Sequence, residues 1–340
     1  MFHLRYCHSQ TTNRHKETSN AAHQPKNTRV SHPSQSPTIP RMTALTLQNL
    51  VRELEAALLA ADVSYGHGTS CALDEAAWLA LHALGLPLDT DLDGDEGRQA
   101  ISAEAAAPVR ALLQQRIQSR KPLAYLIQQA WLQGVPFYVD ERAIVPRSLI
   151  AEPLVEGIID IWLGRQPARV LDLCTGNGSL AVLAALAWPD CQVDAADLSA
   201  DALQVAAINR ERHGLQARIA LLQGDGLAAC AQRAPYDLIL CNPPYVNADS
   251  MARLPAEYRA EPLMALSGNQ RGGSDGMDFI RPLLRAAAAH LAPQGGLVLE
   301  IGHERPFFEA AFPSLNPLWL PTSAGDEQVL ALSRPQLQSL

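Results

Sequence analysis

The chain has 340 residues, of which 47% are hydrophobic and 18% are charged. This length suits about two domains of ~150 residues each, and the composition excludes a disordered or fibrous chain as a whole. The longest uninterrupted apolar run, Leu180 to Trp188, is much shorter than the ~20 residues needed to span a membrane. We therefore predict a soluble globular protein without a membrane partner.

Charge is distributed unevenly along the chain. The formal net charge is −8, but the first 41 residues carry six basic residues and one acidic residue, so the remainder carries −13. Tight nonspecific binding of nucleic acid needs clustered Lys and Arg to neutralise phosphates. The acidic body is therefore not expected to bind nucleic acid tightly.

The first 41 residues are rich in Ser, Thr, Asn, Gln, His and Pro and show no apolar periodicity. They lack the apolar core of a secretory signal and cannot repay the entropy of ordering. We interpret 1–41 as a disordered leader, or as the product of a misassigned start with Met42 as the true initiator. A transit peptide is a weaker alternative, because the stretch is basic but not amphipathic.

The six cysteines form no CxxC pair and have no metal-ligand spacing. In an intracellular protein of this size, such cysteines are typically reduced small hydrophobes. We expect free thiols and no metal site.

Helical periodicity begins after Met42 and defines a first domain over 42–120. Apolar residues recur at helical spacing between Leu45 and Leu58 and again between Ala77 and Leu84, and a third helix is predicted from Ala103 to Ser119. In the following linker, 121–147, the extended run 130–139 is separated by Asp140 and Glu141 from a second run, 143–145. These two runs predict a short hairpin.

Strand-length apolar runs alternate with helical segments from residue 148 to the end. The predicted strands are Arg169–Leu173, Gln192–Ala196, Ile219–Gln223, Tyr236–Cys241 and Gly296–Ile301, and the predicted helices are Leu180–Trp188, Ala200–His213 and Asp278–Leu291. This alternation predicts a doubly wound α/β fold with a parallel sheet. Ligands of such folds bind beyond the carboxyl ends of the strands.

The first strand ends in a glycine loop, and the second ends in a carboxylate. Gly176 and Gly178 allow a sharp turn and close approach of a ligand, and Asp197 can accept both hydroxyls of a ribose. With Ala181 the loop also satisfies the loose spacing of a dinucleotide site. Asp172, at the strand tip, would repel a pyrophosphate but attract a cation. It favours S-adenosylmethionine, which carries a sulfonium and an ammonium.

Two features near the site have two interpretations each. Asp225 follows the third strand and could accept from an adenine amine or cap the next helix. The glycine-rich stretch 268–276 could close over the site or be an ordinary surface loop.

Asn242-Pro243-Pro244-Tyr245 follows the fourth strand and is the strongest signal. The Asn242 side chain and the Pro243 backbone each offer a carbonyl, and the consecutive prolines stiffen this pair of acceptors. Two acceptors beside an aromatic ring suit a planar NH₂ group, and they would aim its nitrogen by positioning and electrostatics. Tyr245 is interpreted either as a wall against the amide plane or as core packing.

These motifs resemble those of the class I S-adenosylmethionine-dependent methyltransferases, and in particular the HemK-like protein-glutamine methyltransferases. Within that family the resemblance is greatest to the branch that modifies a glutamine of the third large-subunit ribosomal protein (L three). It covers nearly everything from residue 45 onward and rests on Ala130-Trp131, Phe137-Tyr138-Val139-Asp140-Glu141-Arg142, Pro146-Arg147-Ser148, Ile150-Ala151-Glu152, Asp172-Leu173-Cys174-Thr175-Gly176, Asn209-Arg210-Glu211-Arg212-His213-Gly214 and Leu254-Pro255-Ala256-Glu257-Tyr258-Arg259.

The resemblance implies a Rossmann-like, mostly parallel seven-stranded sheet in a methyltransferase domain over 148–340, preceded by a helical substrate-recognition domain. It also implies a cytoplasmic enzyme that uses S-adenosyl-L-methionine. Together with the strand-end analysis it predicts cofactor contacts from Asp172, Cys174, Thr175, Gly176, Asn177, Gly178, Asp197, Asp225, Gly226 and Asn242. Asn242, Pro243, Pro244 and Tyr245 are predicted to bind the target glutamine, and Asn242, Pro243 and Tyr245 to act in catalysis.

Three alternatives stay open at this point. Release factors are substrates of another branch of the family, but that branch typically has Gly at Cys174 and Pro at Ser148. A nucleic-acid adenine methyltransferase would also hold a planar amine, but it must grip a duplex and flip a base. A non-catalytic ribosome assembly factor could keep the cofactor as a structural ligand. The chain departs from the L three pattern at Leu149, Asn177 and Ser179, and Gly226 lacks the bulky side chain common beside the adenine.

Overall fold

The computed structural model describes residues 44–340. Within them the chain divides into two compact units, one made of 44–62 and Cys71–Gln115, and the other of Val63–Ser70 and Arg116–Leu340. The expectations for 1–41 and for Met42 lie outside the described residues. The predicted domain limits at 120 and 147 stay a prediction.

The smaller unit contains the three helices expected from the periodicity. They are α1 (Leu47–Ala60), α2 (Ala72–Leu84) and α3 (Ala103–Ser119), the last of which continues into the larger unit. Thr46 caps α1 by accepting from the Asn49 N–H, and Gly85 ends α2 with a left-handed φ of 67°. One face of α1 is buried, as the spacing of its apolar residues requires.

The larger unit alternates strands and helices. Its strands are β1 (Ala130–Leu132), β2 (Val135–Phe137), β3 (Arg169–Leu173), β4 (Gln192–Asp197), β5 (Ile219–Gln223), β6 (Tyr236–Cys241), β7 (Leu291–Glu300), β8 (Leu318–Thr322) and β9 (Gly325–Ser333). Its helices are α4 (Leu123–Ile127), α5 (Ala151–Val155), α6 (Ile158–Leu163), α7 (Ser179–Ala187), α8 (Ala200–Arg212), α9 (Ala248–Ala252), α10 (Ala256–Arg259), α11 (Leu263–Leu266), α12 (Ile280–His290), α13 (Arg305–Ala311) and α14 (Arg334–Gln338), with a 3₁₀ turn at Gly226–Cys230.

Seven of the described strands form one sheet in the order β5-β4-β3-β6-β7-β9-β8. The strands β3 to β7 are parallel to one another, whereas β9 is antiparallel to both β7 and β8. The register pairs Leu173 of β3 with Ala196 of β4 and with Cys241 of β6. The loops that follow these three strands therefore begin side by side. The predicted doubly wound, mostly parallel seven-stranded sheet is confirmed.

Both faces of the sheet are buried, as a doubly wound fold requires. Along β6, Leu238 and Leu240 belong to one apolar cluster, and Ile239 and Cys241 belong to another. The first cluster includes the apolar face of α7, and the second includes that of α12. This two-sided burial explains why these strands are continuously apolar in the sequence.

The hairpin before the sheet forms at a different place from the one predicted. Strands β1 and β2 pair within the first extended run, with Ala130 opposite Phe137. Gln133 and Gly134 make the turn with φ of 50° and 76°, the pair of positive values that a type I′ turn needs. The chain does turn at Asp140 and Glu141, where the Ala143 N–H donates to the Asp140 carbonyl at 3.1 Å, but 143–145 forms no strand. The expectation of a hairpin across this turn is therefore wrong. The Asp140 carboxylate is engaged by Arg142 and by the Tyr138 hydroxyl.

The thiols follow the sequence expectation at four of the five described positions. Cys174, Cys191, Cys230 and Cys241 are free, whereas Cys71 is disulfide-bonded, so the expectation of a reduced thiol is wrong there. No helix within residues 44–340 is both long and apolar enough to cross a membrane.

Candidate active site

A cavity of about 210 Å³ opens at the carboxyl ends of the parallel strands. Seven residues predicted from the sequence line it, namely Cys174, Gly176, Asp197, Asp225, Gly226, Asn242 and Pro244. Six predicted residues are not part of its lining, namely Asp172, Thr175, Asn177, Gly178, Pro243 and Tyr245. The rest of the lining comes from neighbouring residues of the strand-end loops, from 142–144 and from parts of 262–279. Of these, only the stretch 268–276 was considered in the sequence.

The loop after β3 presents its backbone to the cavity. Cys174 and Gly176 both have left-handed φ values, 60° and 56°. A Cβ placed on Gly176 would meet no atom within 4 Å, because this glycine faces the open cavity. At Gly178, by contrast, a Cβ would lie 3.0 Å from the Ala206 Cβ. Gly176 therefore leaves room for a ligand, whereas Gly178 allows α8 to pack closely.

Asp197 links the loop after β3 to the loop after β4. Its Oδ2 accepts from the Gly176 N–H at 2.9 Å, and its Oδ1 accepts from the Ser199 N–H at 2.8 Å. Burial raises the pKa of Asp197, although the hydrogen bonds from Ser199 and Gly176 oppose that shift. Each carboxylate oxygen keeps a further acceptor position, so the group can still bind hydroxyls in the cavity.

Asp172 lies behind the loop and does not line the cavity. Its Oδ2 accepts from the Thr175 hydroxyl and, at 3.0 Å, from the Ala181 N–H near the start of α7. Only 1% of the residue is exposed, and this burial raises the pKa of its carboxyl to about 7. Any influence of Asp172 on a ligand must therefore act through space.

Asn177 is a structural tie between the glycine loop and the segment before the sheet. Its side-chain NH₂ donates to the Ile144 carbonyl at 2.7 Å, and its side-chain oxygen accepts from the Ser179 N–H at 2.9 Å. The buried Asn209 of α8 then donates to the backbone carbonyls of Asn177 and Tyr138. These two asparagines hold the cavity wall at 142–144 in place.

The wall after β5 combines an exposed carboxylate with an aromatic ring. Asp225 makes no capping hydrogen bond with its side chain, and its Oδ2 lies 3.6 Å from the Arg271 guanidinium. Beside it, a Cβ on Gly226 would lie 3.9 Å from the Phe279 ring. Phe279 itself lines the cavity. The Phe279 ring takes the place of the bulky side chain that is missing at Gly226.

The Asn242 side chain lines the cavity and makes no hydrogen bond within residues 44–340. Tyr245, in contrast, turns toward the protein interior. Its hydroxyl donates to Oε1 of Glu300 at 3.2 Å, and its ring lies so close to Gly302 that a Cβ there would be 2.6 Å from it. Burial, together with the Glu300 charge, raises the pKa of Tyr245 well above its usual value.

Two buried carboxyl groups around the site have no local signal in the sequence. Glu300 accepts from the Ser148 hydroxyl at 2.7 Å and from the Leu149 N–H at 2.9 Å. Glu261 accepts from the Arg147 guanidinium at 2.5 and 2.7 Å. Burial alone would raise the pKa of Glu261, but the charge and hydrogen bonds of Arg147 together with the neighbouring His67 outweigh burial, and the pKa falls to about 2.

The stretch 268–276 is held at the cavity edge by side chains at both of its ends. Asn269 donates to the Val246 carbonyl at 3.0 Å and accepts from the Gly276 N–H at 2.9 Å. Asp278 accepts from the N–H groups of Arg271 and Gly273. Three of its residues, Gly268, Gln270 and Arg271, face the cavity.

Within residues 44–340 no group of His, Cys, Asp and Glu could hold a metal ion.

The strand order, the single antiparallel strand beside β8 and the cavity at the parallel strand ends define a class I S-adenosylmethionine-dependent methyltransferase. Residues 160–256 match the family model described as methyltransferase small domain.

Relatives named ribosomal protein uL3 glutamine methyltransferase are similar over most of the chain. The protein of Bordetella pertussis is 51% identical, over 88% of this chain and 98% of its own. That of Burkholderia pseudomallei is 47% identical, over 87% and 96%, and that of Neisseria meningitidis serogroup B is 45% identical, over 86% and 94%. The chain belongs to the family of the ribosomal protein uL3 glutamine methyltransferases, and the resemblance found in the sequence is confirmed.

Proposed function

We propose that this protein transfers a methyl group from S-adenosyl-L-methionine to the side-chain amide nitrogen of a glutamine in ribosomal protein uL3. The observation that carries the proposal is the Asn242 side chain, which faces the cavity with its carbonyl and NH₂ unused within residues 44–340. Family membership supports the substrate, because the relatives carry that activity in their names.

The cavity residues fit an adenosyl ligand that carries positive charge. Gly176 leaves open space beside the backbone, and Asp197 can accept from ribose hydroxyls while it keeps its two backbone hydrogen bonds. Asp225 can accept from the adenine amine, and Phe279 offers an apolar face beside Gly226. When bound, S-adenosylmethionine supplies an electrophilic methyl group.

Asn242 and Pro243 would hold the target amide through their carbonyl oxygens. An amide nitrogen is a weak nucleophile because its lone pair is delocalised, and two acceptors on its N–H bonds favour the tetrahedral geometry needed for attack. The N–C bond forms as the S–CH₃ bond breaks, and the nitrogen, made acidic by the new bond, releases one proton to water. No side chain with a low pKa is required. Pro244 stiffens this pair of acceptors.

The Tyr245 hydroxyl does not serve as a base in this proposal. It donates to Glu300, and burial holds its pKa well above its usual value, so it stays protonated at neutral pH. Its contribution is to fix the chain that carries Asn242 and Pro243.

We further propose that the helical region up to residue 120 selects uL3, and that the reaction takes place in the cytoplasm. The net charge of −13 after residue 41 suits a basic protein partner and disfavours tight binding of nucleic acid. Retention of a polyanion by residues 42–340 at about 0.2 M salt would contradict the expectation that the protein does not bind nucleic acid tightly.

The test is methyl transfer from labelled S-adenosylmethionine to purified uL3, with release factors and DNA as competing acceptors. We expect a gain of about 14 Da on a glutamine of uL3. Asn242→Ala should lose turnover on the order of 10²-fold, as the removal of an oxyanion-hole donor does. Asn316→Ala, an exposed asparagine outside the cavity lining, is the control. Label on release factors or DNA alone would contradict the assignment.

A further inference from the structure

Glu300 ends β7, next to the end of β6 from which Asn242 to Tyr245 continue. Only 3% of it is exposed. Within residues 44–340 it forms no ion pair. Burial raises its pKa, although four hydrogen-bond donors oppose the shift. A buried carboxyl without a cation is costly, and such groups are concentrated at functional sites.

The two oxygens of Glu300 bind different segments. Oε2 accepts from the Ser148 hydroxyl and from the Leu149 N–H, at 2.7 and 2.9 Å. Oε1 accepts from the Tyr245 hydroxyl at 3.2 Å. One carboxyl therefore joins the chain entering the methyltransferase region to the chain leaving β6.

Tyr245 is confined on several sides. Gly302 leaves no room beside its ring, since a Cβ there would be 2.6 Å from it. A Cβ on Gly276 would lie 2.0 Å from the Tyr245 carbonyl oxygen. The next residue, Val246, is tied by its N–H to the Leu266 carbonyl at 3.0 Å. The hydroxyl of Tyr245 is its remaining polar anchor, and Glu300 holds it.

We propose that Glu300 is a positioning residue, which fixes Tyr245 and thereby the orientation of the Asn242 and Pro243 carbonyls. The inference rests on the proposed function for its catalytic consequence, whereas the mechanical link between Glu300 and the loop can be measured without methyl transfer. Displacement of such acceptors by a fraction of an ångström lowers the rate of the chemical step more than the binding of substrate.

The experiment is a double-mutant cycle of Glu300→Leu and Tyr245→Phe. Leucine is similar in size to glutamate but offers no hydrogen-bonding group to Tyr245, and phenylalanine removes only the hydroxyl. We expect each single variant to lower kcat for uL3 about tenfold, with KM and the affinity for S-adenosylhomocysteine changed less than about twofold. The double variant should be no slower than the slower single variant, because both remove one link. Ser148→Ala, which leaves the bond to Tyr245, should lower kcat less than either.

Hydrogen exchange at the amides of Tyr245 and Val246 tests the positioning role of Glu300 separately from the proposed methylation of uL3. We expect about tenfold faster exchange in Glu300→Leu and in Tyr245→Phe, whether or not uL3 is the substrate. Unchanged exchange, or a double variant whose losses multiply, overturns the positioning role. If both variants show the expected faster exchange but the wild type does not methylate uL3, only the proposed function is contradicted.

Discussion

The N–H of Gly176 donates to Oδ2 of Asp197 at 2.9 Å, so the carboxylate after β4 holds the glycine loop after β3. Both residues face the cavity. A single side chain thus shapes the loop and offers acceptors to a ligand. Substitution of Asp197 should therefore weaken cofactor binding in two ways, by removing an acceptor for the ligand and by releasing the glycine loop.

We expect Asp197→Asn to weaken binding of S-adenosylhomocysteine by roughly tenfold to 100-fold, the equivalent of ~1.4 to 2.8 kcal/mol. The new NH₂ must face either the Gly176 N–H or the Ser199 N–H, because both are donors. Isothermal titration calorimetry measures the effect. Asp201→Asn, at an exposed carboxylate of α8, controls for the loss of one negative charge. Equal affinity in the two variants would exclude this role of Asp197.

Asp172 should make the stability of the protein depend on pH. Burial raises its pKa to about 7, above the ~3.9 of an unfolded chain. Its favourable contribution is therefore complete below about pH 4 and is lost as pH rises through 7. Asp172→Asn keeps an acceptor for the Ala181 N–H and does not ionise. Denaturant unfolding at pH 5 and 8 should show the variant gaining relative to the wild type at the higher pH; a constant difference would argue against a raised pKa.

The same carboxyl should distinguish a cationic from a neutral ligand. S-adenosylmethionine carries a sulfonium, whereas S-adenosylhomocysteine has a neutral thioether in its place. Ionised Asp172 attracts the sulfonium, so the ratio of the two affinities should rise as pH increases through about 7. In Asp172→Asn the ratio should stay flat. A ratio that rises equally in both proteins would assign the effect to another group.

A residue with a Cβ at position 174 should destabilise the fold relative to glycine. The φ of Cys174, 60°, is left-handed, which costs a residue with a Cβ about 1–2 kcal/mol, and glycine avoids this cost at the expense of unfolded-state entropy. We expect Cys174→Gly to be about 1 kcal/mol more stable than Cys174→Ala. Both variants lack the Cys174 thiol, so their difference in unfolding free energy isolates the backbone. Equal stability would show that the loop relaxes.

The sequence predicts those features whose causes are local. Strand β3 is a short apolar run followed by a glycine loop, and the sequence predicts both of its limits because period and turn residues act within a few positions. The hairpin turn at Gln133 and Gly134 is also local, but the charged pair at 140 and 141 marks a second turn, and the sequence does not show which of the two turns joins paired strands.

The supporting carboxyl groups could not be predicted in this way. Glu300 binds Ser148, 152 positions earlier in the chain, and Glu261 binds Arg147, 114 positions earlier. Likewise, Phe279 fills the wall beside Gly226 only because the chain returns to the cavity after 268–276. Such pairs are created by the topology of the sheet, and no window of a single sequence contains both members.

The ion pair of Arg147 and Glu261 yields the last prediction. Glu261 is fully enclosed, with a side chain 0% exposed, whereas that of Arg147 is 24% exposed. Arg147→Met should lower the free energy of unfolding by about 3 kcal/mol, because it leaves a buried carboxylate with only the His67 ring beside it, at 3.4 Å. Arg285→Met, at an exposed arginine of α12, should change it by less than about 0.5 kcal/mol.

The pH dependence of the same pair has a definite sign. Burial opposes ionisation of Glu261, but Arg147 and His67 together lower its pKa to about 2, below the ~4.3 of an unfolded chain. The pair therefore contributes fully above about pH 4.3 and loses its contribution as pH falls toward 2. The stability difference between the wild type and Arg147→Met should shrink over that interval when unfolding is followed by denaturant titration. If Arg147→Met is as stable as Arg285→Met at pH 7, or if the difference does not change on acidification, the pair does not stabilise the fold by charge.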